Sequence, residues 1–448
     1  MTKLFAKAAL LPGGLARDVV VEIAEGRILS VLTGQSPDGA DENYGLLIPA
    51  VGNLHSHAFQ RAMAGLAERR GKGDDTFWSW RSVMYKMALS MTPDDVEAIA
   101  AQLYVEMLEA GFCRVGEFHY LHHDKDGSPY ANIAEMGERI AAASAETGIG
   151  LTLLPVFYAH GGFGPTAPGA DQRRFINSVD GYGALMSASR SAIAGLDGAT
   201  IGIAPHSLRA ATVDEIRTIF PLADGGPVHI HISEQVLEVE GSLAAFGQRP
   251  VELLLGELPV DQNWCLIHAT HLDAAEVSGI ARSGAVVGLC PITEANLGDG
   301  IFAGVPFLQE QGRFGIGSDS NVSISLSGEL RQFEYSQRLG NRIRNAVAPP
   351  GGSSGQALLE RAAVGGAQAL DWQSGIAPGL PADLVSLDVS RVGYVPALDQ
   401  LDAWIFGDDV SVDDVWVMGR KRVAGGRHPG REQIRRRFED VMARLMSA

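Results

Sequence analysis

Strand-like and helical segments alternate regularly along most of this chain, and that alternation is the strongest constraint on its fold. Apolar runs typical of strands occur eight times, at residues 45–50, 114–121, 150–158, 200–205, 227–232, 264–268, 285–290 and 314–317. Segments with helical spacing lie between most of them, for example at 212–222, 250–258 and 273–282. Eight such units predict an α/β fold, a parallel (β/α)8 TIM barrel. A doubly wound open sheet is the alternative, but no GxGxxG sequence follows the first strand.

Strand-like segments on both sides of this region predict a second, smaller module. Residues 19–34, VVVEIAEGRILSVLTG, are typical of two strands joined at Glu25 and Gly26, because glycine readily adopts positive φ. Further strand-like runs occur at 382–385 and 415–423. The two ends of the chain are therefore expected to combine into a small β-sandwich module.

The resulting division of the chain has three parts. We predict the β-module from residues 1–48 and 376–428, the barrel from 49–375 and a C-terminal helix from 429–448. Apolar residues recur in this helix at helical spacing: Ile434, Phe438, Val441, Met442 and Leu445. The spacing predicts a helix docked on the rest of the protein, with a dimer contact as the alternative.

The charge balance excludes several classes of partner. The chain has 36 basic and 53 acidic residues, a formal net charge of −17. Nucleic acids and anionic membranes both require a basic face, so we expect neither as a partner. The cysteines Cys113, Cys265 and Cys290 show no CxxC spacing, which is typical of a reducing compartment. Without an uninterrupted apolar stretch of 18 residues, the sequence predicts a cytoplasmic protein.

Histidines are concentrated where the predicted strands end. Eleven of the twelve lie within the predicted barrel, and the carboxyl ends of the strands are where TIM barrels build their active sites. His55 and His57 follow the first strand with a spacing that puts both imidazoles on one side of an extended segment. His231 and His268 end the fifth and sixth strands, and Asp319 follows the eighth. Converging imidazole and carboxylate groups predict a site for Zn²⁺ or Fe²⁺.

Glu234 lies three residues after His231, where a loop is expected to leave the fifth strand. A carboxylate beside a metal-activated water is what a proton shuttle requires. The alternative interpretation of Glu234 is a solvated loop acid. For the whole site, the alternative is a barrel that binds metal only for storage or structure. Structural zinc sites often use cysteine, however, and none of the predicted ligands is a cysteine.

Motifs along essentially the whole chain match a known superfamily. They are PAVGNLHSH, HIHISE, LIHATHLD, GIGSDSN, APGLPADLVSLD and VWVMGRKRV, in this order. The chain resembles the deaminase branch of the amidohydrolase superfamily. Two-metal members usually bridge their ions with a modified lysine from a middle strand, whereas none of the six lysines here lies in strands three to eight. The resemblance therefore implies one divalent metal ion, Zn²⁺ in the first place and Fe²⁺ as the alternative.

A narrower resemblance rests on HSHAFQRAMAG, DTFWSWRSVMY, VGEFHYLHH, IAPHSLRA and PITEANLGDG. These segments are similar to the formimidoylglutamate deiminases of bacterial histidine degradation, which convert N-formimino-L-glutamate to N-formyl-L-glutamate and ammonia. A related deaminase acting on a purine, a triazine or another amidine is the alternative. The resemblance implies metal ligands at His55, His57, His231 and Asp319, catalytic roles for Glu234, His268 and Asp319, and substrate binding by Gln60, Arg81, Tyr120, His206 and Arg209.

The chemistry of the implied substrate-binding residues matches a small-molecule dicarboxylate. Guanidinium groups of Arg81 and Arg209 can each hold a carboxylate, which a protein of charge −17 needs. Tyr120 and Gln60 can add neutral hydrogen bonds. For His206 the alternative is a packed, hydrogen-bonded histidine without a role in binding.

The expected mechanism divides proton transfer among three side chains. Glu234 or Asp319 takes a proton from the attacking water, and His268 stabilises the tetrahedral adduct. An insertion at residues 61–90, which contains Arg81 and the aromatic residue Trp80, is expected to act as a lid, a dimer contact or both. A homodimer is the expected assembly.

Overall fold

The computed structural model describes residues 1–69 and 77–447. Within these residues, no helix is both long and apolar enough to cross a membrane. The strands are β1 (Thr2–Leu11), β2 (Gly14–Ala24), β3 (Arg27–Leu32), β4 (Glu42–Pro49), β5 (Val51–Ser56), β6 (Phe112–His119), β7 (Gly150–Phe157), β8 (Thr200–Ile201), β9 (Ala204–Pro205), β10 (Val228–Ile232), β11 (Trp264–His268), β12 (Val286–Leu289), β13 (Arg313–Ile316), β14 (Leu384–Asp388), β15 (Ser411–Val417) and β16 (Arg420–Val423).

Helices follow most of the barrel strands. They are α1 (Phe77–Ser90), α2 (Pro93–Glu109), α3 (Glu135–Thr147), α4 (Val179–Ile193), α5 (Val213–Ile219), α6 (Val236–Phe246), α7 (Pro250–Glu257), α8 (Ala274–Ser283), α9 (Pro291–Leu297), α10 (Gly304–Gln309), α11 (Leu326–Asn341), α12 (Ser354–Ala369), α13 (Gln400–Phe406) and α14 (Arg431–Ser447). A 3-10 helix at Ala58–Met63 follows β5 directly.

The strands from β5 to β13 form a closed parallel barrel. β5 to β8 pair side by side in one sheet, and β10 to β13 pair in another. β8 and β9 are two halves of one strand, since both pair with β7. Single bridges join the two sheets, Ile203 with Val228 on one side and Ser56 with Asp319 on the other. With β8 and β9 counted once, the barrel has eight strands, which confirms the predicted (β/α)8 fold.

The first barrel strand is β5 rather than the run at residues 45–50 that we predicted. Residues 45–49 of that run form the last part of β4, which pairs with β1 and β14 in the small sheet. The chain is buried continuously from Leu46 through Leu54, so hydrophobicity alone does not show where one sheet ends and the other begins. Ala50 alone separates the two strands, and its N–H donates to the carbonyl oxygen of Asp383 over 3.1 Å. His55 therefore lies inside a strand.

The remaining seven strands form one sheet in the order β16-β15-β14-β4-β1-β2-β3. As predicted, they come from both ends of the chain, but the described strands make one continuous sheet rather than two packed ones. Alternate side chains point to opposite faces of a strand. One face holds a small core that includes Leu4, Val21, Leu384 and Trp416, while Ile48 on the other face belongs to the main core.

Helix α14 packs against α2, which confirms the predicted docking. Ile434 and Leu445 are buried in the main core. Ion pairs hold the helix along its length, among them Arg431 with Glu109 near its start and Arg444 with Asp95 near its end. Burial alone raises the pKa of Asp95, but hydrogen bonds from Arg444 and from the cap of α2 outweigh it, so the pKa lies below its usual value. The docking is thus both apolar and ionic.

Replacing Ile434 with alanine is expected to lower the free energy of unfolding by about 2–4 kcal/mol, because the substitution removes buried apolar groups from a packed core. Denaturant unfolding followed by circular dichroism measures this change. Gln433 is exposed on the same helix turn, so Gln433→Ala is a matched control expected to change stability by less than about 0.5 kcal/mol. Equal stability of the Ile434→Ala and wild-type proteins would contradict the docking of α14.

Polar groups at the amino-terminal end of the barrel meet the end of α12. The carbonyl oxygen of Leu370 accepts hydrogen bonds from the hydroxyls of Thr152 and Thr200, over 2.9 and 3.1 Å. Nε2 of His229 lies 2.7 Å from the carbonyl oxygen of Ala369. His229 is therefore held at the base of the barrel, away from the carboxyl ends of the strands.

Candidate active site

The four residues predicted as metal ligands come together at the carboxyl ends of the barrel strands. His55 lies in β5, His57 directly follows it, His231 lies in β10 and Asp319 follows β13. All four are buried, and one donor atom from each lies within 4.8 Å of the others. Asp319 Oδ1 is 3.3 Å from His55 Nε2 and 3.2 Å from His57 Nε2. The Nε2 atoms of His55 and His231 are 3.0 Å apart.

Backbone carbonyl groups fix the orientation of two of these imidazoles. His57 Nδ1–H donates to the carbonyl oxygen of Phe118 over 2.9 Å, and His231 Nδ1–H donates to that of His206 over 3.0 Å. Burial lowers the pKa of His55 to about 3 and, with neighbouring histidines, lowers that of His231 well below its usual value. The Nε2 atoms of His57 and His231 therefore point into the cluster, towards Asp319 Oδ1 and His55 Nε2 respectively. This group of three imidazoles and one carboxylate fits a divalent transition-metal ion.

Two further predicted residues, Glu234 and His268, lie beside this cluster. His268 ends β11, and its Nε2 is 3.8 Å from Glu234 Oε1 and 3.9 Å from Asp319 Oδ2. Burial opposes protonation of His268, but the nearby carboxylates of Glu234, Glu294 and Asp319 outweigh it and raise its pKa to about 10. Burial raises the pKa of Glu234. The arrangement places a proton acceptor and a proton donor next to each other.

Several residues at this edge hold left-handed backbone conformations without being glycine. The φ values are +52° at Ser233, +67° at His268, +48° at Ala269 and +46° at Asp319. For such residues this conformation costs about 1–2 kcal/mol each. The surrounding barrel maintains it, and it turns the side chains of His268 and Asp319 at the strand ends.

A cavity opens directly over the cluster. All five residues predicted to bind substrate line it. Its walls are formed by His57, Gln60, Trp80, Arg81, Met84, Tyr85, Tyr120, Tyr158, Phe175, His206, Arg209, His231, Glu234, Leu297 and Asp319. The cavity thus joins three of the candidate metal ligands, His57, His231 and Asp319, with Glu234 and two guanidinium groups in one space.

The two arginines reach the cavity from different elements. Arg81, on α1, donates from Nη2 to the hydroxyl of Tyr158 over 3.1 Å. Arg209 follows β9, and its Nη2 lies 3.7 Å from Glu234 Oε2 and 3.9 Å from Glu238 Oε2. Buried opposite charges beside Arg209 fix its guanidinium near the candidate proton shuttle. Both cations face a space in which anionic groups of a ligand can be held.

The neutral predicted residues line the same cavity. Gln60 Nε2 donates to the hydroxyl of Tyr120 over 2.8 Å. The His206 ring lies 4.6 Å from the ring of Tyr158 and 4.8 Å from that of His231. Burial lowers the pKa of His206 well below its usual value, so its ring is neutral. His206 is thus both packed among aromatic rings and part of the cavity wall.

Two buried glutamates near the site were not predicted as site residues. Glu294, on α9, accepts a hydrogen bond from His268 Nδ1–H over 3.2 Å. Glu117, on β6, accepts from the N–H of Ala58 over 2.6 Å and from the hydroxyl of Tyr104 over 3.1 Å, and burial raises its pKa to about 7. Glu294 comes just after the seventh barrel strand, and this position at a strand end was the available signal. Glu117 carried no such signal, because it lies inside a strand.

The predicted insertion at residues 61–90 is partly described. Residues 70–76 lie outside the described part of the chain. Helix α1, which belongs to the insertion, supplies Trp80, Arg81, Met84 and Tyr85 to the cavity wall. Helix α1 thus forms part of the cavity wall.

The fold and the site together define the class of this protein. Its sequence matches the amidohydrolase family over residues 46–422, and the chain belongs to that family. Residues 1–45 match a second family, described as formimidoylglutamate deiminase HutF, N-terminal domain. The two matches together cover residues 1–422.

Individual relatives narrow the class further. The chain is 48% identical to formimidoylglutamate deiminase of Pseudomonas aeruginosa, with 100% of each sequence covered. It is 28% identical to 5-methylthioadenosine/S-adenosylhomocysteine deaminase of Natronomonas pharaonis, over 85% of this chain and 82% of that one. The crystal structure of an amidohydrolase from Brucella melitensis superimposes with a TM-score of 0.97 at 52% identity and covers 100% of both chains.

Proposed function

We propose that this protein hydrolyses N-formimino-L-glutamate to N-formyl-L-glutamate and ammonia, a deimination at a C–N bond. The observation that carries the proposal is the 48% identity over full length with formimidoylglutamate deiminase of Pseudomonas aeruginosa. The N-terminal match to the same family agrees with it. The two arginines in the wall of the cavity give the proposal a chemical basis, because this substrate carries two carboxylates.

The metal ion is the first component of the proposed site. His55, His57, His231 and Asp319 would hold one divalent ion, and their nitrogen and oxygen donors suit Zn²⁺ best, with Fe²⁺ as the alternative. When bound, such an ion acts as a Lewis acid that makes water nucleophilic at neutral pH. The hydrogen bonds from His57 and His231 to backbone carbonyl groups support this role, because they hold Nε2 of each ring free to bind.

Proton transfer is assigned to the side chains around this position. Glu234 takes a proton from the attacking water and delivers it to the nitrogen that leaves as ammonia. Its raised pKa suits a group that both accepts and donates a proton. Asp319 is the second carboxylate: it takes the remaining proton of that water from the hydroxyl of the tetrahedral adduct and passes it to the same nitrogen, so that the C–N bond breaks, the formyl C=O forms and NH3 leaves. His268 presents Nε2–H to the tetrahedral adduct at the formimino carbon and stabilises its developing charge.

Substrate recognition is assigned to the five predicted residues of the cavity wall. Arg209 and Arg81 bind the two carboxylates, and the pairing of Arg209 with Glu234 and Glu238 holds its guanidinium in place before substrate arrives. Gln60 and Tyr120 add hydrogen bonds from neutral groups, and the neutral His206 ring completes the wall. This set of two cations and neutral donors is what a small dicarboxylate requires.

We also propose that the protein acts in the cytoplasm and as a homodimer. The cysteines Cys113, Cys265 and Cys290 are free and buried, which suits a reducing compartment. For the dimer, the insertion at 61–90 is the better candidate contact, because α14 uses its apolar residues to pack on α2.

Release of ammonia from N-formimino-L-glutamate by the purified, Zn²⁺-loaded protein is the expected result that tests this function. Chelation is expected to abolish the release, because the attacking water loses its activation, and added Zn²⁺ is expected to restore it. A coupled ammonia assay measures both, with a purine nucleoside as the control substrate. No release from metal-loaded protein would refute the substrate, and release that persists after verified metal removal would refute the metal requirement.

A further inference from the structure

We infer that Glu294 is a positioning residue that holds the His268 imidazole in its working orientation through a hydrogen bond from His268 Nδ1–H to its carboxylate. The inference rests on the proposed function. It assigns a role to the buried glutamate beside the site that neither the metal cluster nor the substrate contacts explain.

Glu294 lies between the carboxyl ends of two neighbouring barrel strands, β11 and β12. It lies in the first turn of α9, directly after β12, and is 7% exposed. Its Oε1 atom accepts the backbone N–H of Cys290 over 2.8 Å and His268 Nδ1–H over 3.2 Å. The carboxylate therefore ties the ring at the end of β11 to the backbone at the end of β12.

The hydrogen bond to Glu294 also determines where the second ring nitrogen of His268, Nε2, points. A carboxylate only accepts hydrogen bonds, so Nδ1 carries the hydrogen. Nε2 then faces Glu234 and Asp319 at 3.8 and 3.9 Å, where the reacting carbon must lie. The left-handed backbone of His268, with φ +67°, sets the direction in which the side chain leaves the strand, and the hydrogen bond to Glu294 holds the orientation of the ring.

A second metal site is the competing role for these atoms. Donor atoms of His268, Cys290 and Glu294 lie within 4.8 Å of one another. The hydrogen-bond pattern favours positioning, because Glu294 Oε1 already accepts two hydrogen bonds. Metal content distinguishes the two roles: one ion per chain is expected, and a second ion that is lost on changing Cys290 to serine would overturn the inference.

Paired substitutions at Glu294 separate the hydrogen bond from the charge. Glu294→Leu is expected to lower kcat about 10²-fold with KM unchanged, because small misplacement of a reacting group costs about this much. Glu294→Gln is expected to restore most of kcat, because the amide oxygen can accept both hydrogen bonds. Equal loss in the two variants would overturn a positioning role based on the hydrogen bond, and so would undiminished kcat in Glu294→Leu.

A matched control tests whether general damage to α9 explains a loss of kcat. Glu329 is buried on α11, and its Oε2 atom accepts the N–H of Ile292 over 2.8 Å, two residues from Glu294. Glu329→Leu removes the buried acceptor of a backbone N–H of α9, that of Ile292, without removing the partner of His268. It is expected to lower stability but to keep kcat. A loss of kcat as large as that of Glu294→Leu would overturn the inference.

One readout does not depend on turnover. In protein labelled with ¹⁵N-histidine, the His268 Nδ1–H proton is expected to give a slowly exchanging downfield resonance that persists in Glu294→Gln and disappears in Glu294→Leu. Absence of this resonance in the wild type would overturn the inference. If the wild type shows the resonance but releases no ammonia, the proposed substrate fails while the His268–Glu294 contact stands.

Discussion

Replacing Glu234 with glutamine is expected to lower kcat about 10²- to 10⁴-fold, the range that general acid–base catalysis contributes. Glutamine keeps the shape of the side chain but neither accepts nor delivers the proton. Because Glu234 is not one of the four candidate metal ligands, the metal content per chain is expected to stay unchanged. Steady-state ammonia release and elemental analysis of the purified variant measure the two quantities.

Glu240→Gln is the matched control for this experiment. Glu240 lies on α6, six residues after Glu234, but is exposed to solvent, so its substitution is expected to leave kcat unchanged. Full activity of Glu234→Gln would show that Asp319, rather than Glu234, accepts and delivers the proton. Loss of metal from that variant would show that Glu234 is a ligand rather than a proton carrier.

Replacing Arg209 with methionine is expected to lower kcat/KM for N-formimino-L-glutamate by about 10²- to 10³-fold, since losing one partner of a buried charge pair costs about 2–5 kcal/mol. The substrate carboxylate loses its cation, and Glu234 and Glu238 lose the positive charge that lies 3.7 and 3.9 Å away. Initial rates over a range of substrate concentrations give the ratio.

Two comparisons make the result specific to the guanidinium group. Arg209→Lys keeps the charge but not the two-pronged geometry, and is expected to recover part of the lost activity. Arg217→Met changes a more exposed arginine on α5 whose partners are Asp214 and Glu257, and is expected to behave as wild type. An unchanged kcat/KM in Arg209→Met would favour the alternative of a related deaminase acting on a purine, a triazine or another amidine.

Much of the site follows from sequence because of how parallel barrels are built. Every strand of such a barrel points its carboxyl end to the same edge, so chemical groups placed after separate strands must converge. His231, His268 and Asp319 could be located in this way without knowledge of the strand pairing. The position of a residue along its strand also determines how deep it lies in the barrel. His231 therefore joins the cluster at the carboxyl end, whereas His229, two residues earlier, contacts the base of the barrel.

The parts that sequence did not predict depend on contacts between distant residues. The apolar stretch around Ala50 is buried in two different sheets, and no local pattern marks the change from β4 to β5. Glu294 is 26 residues away from His268 in the chain, and the local sequence does not show that a glutamate in the first turn of α9 reaches that ring. Likewise, strand composition predicted a small β-module but not its assembly into one seven-stranded sheet, since sheet order is decided by long-range pairing.

The left-handed backbone at the edge of the barrel limits how this enzyme can vary over evolution. At Ser233, His268, Ala269 and Asp319 the choice of amino acid is restricted by conformation as well as by chemistry, because branched side chains tolerate positive φ poorly. Ala269 illustrates the point. It contributes no functional group, yet valine or isoleucine there would strain the turn that carries His268. New substrate preferences are therefore more accessible through the cavity wall on α1 than through the strand ends.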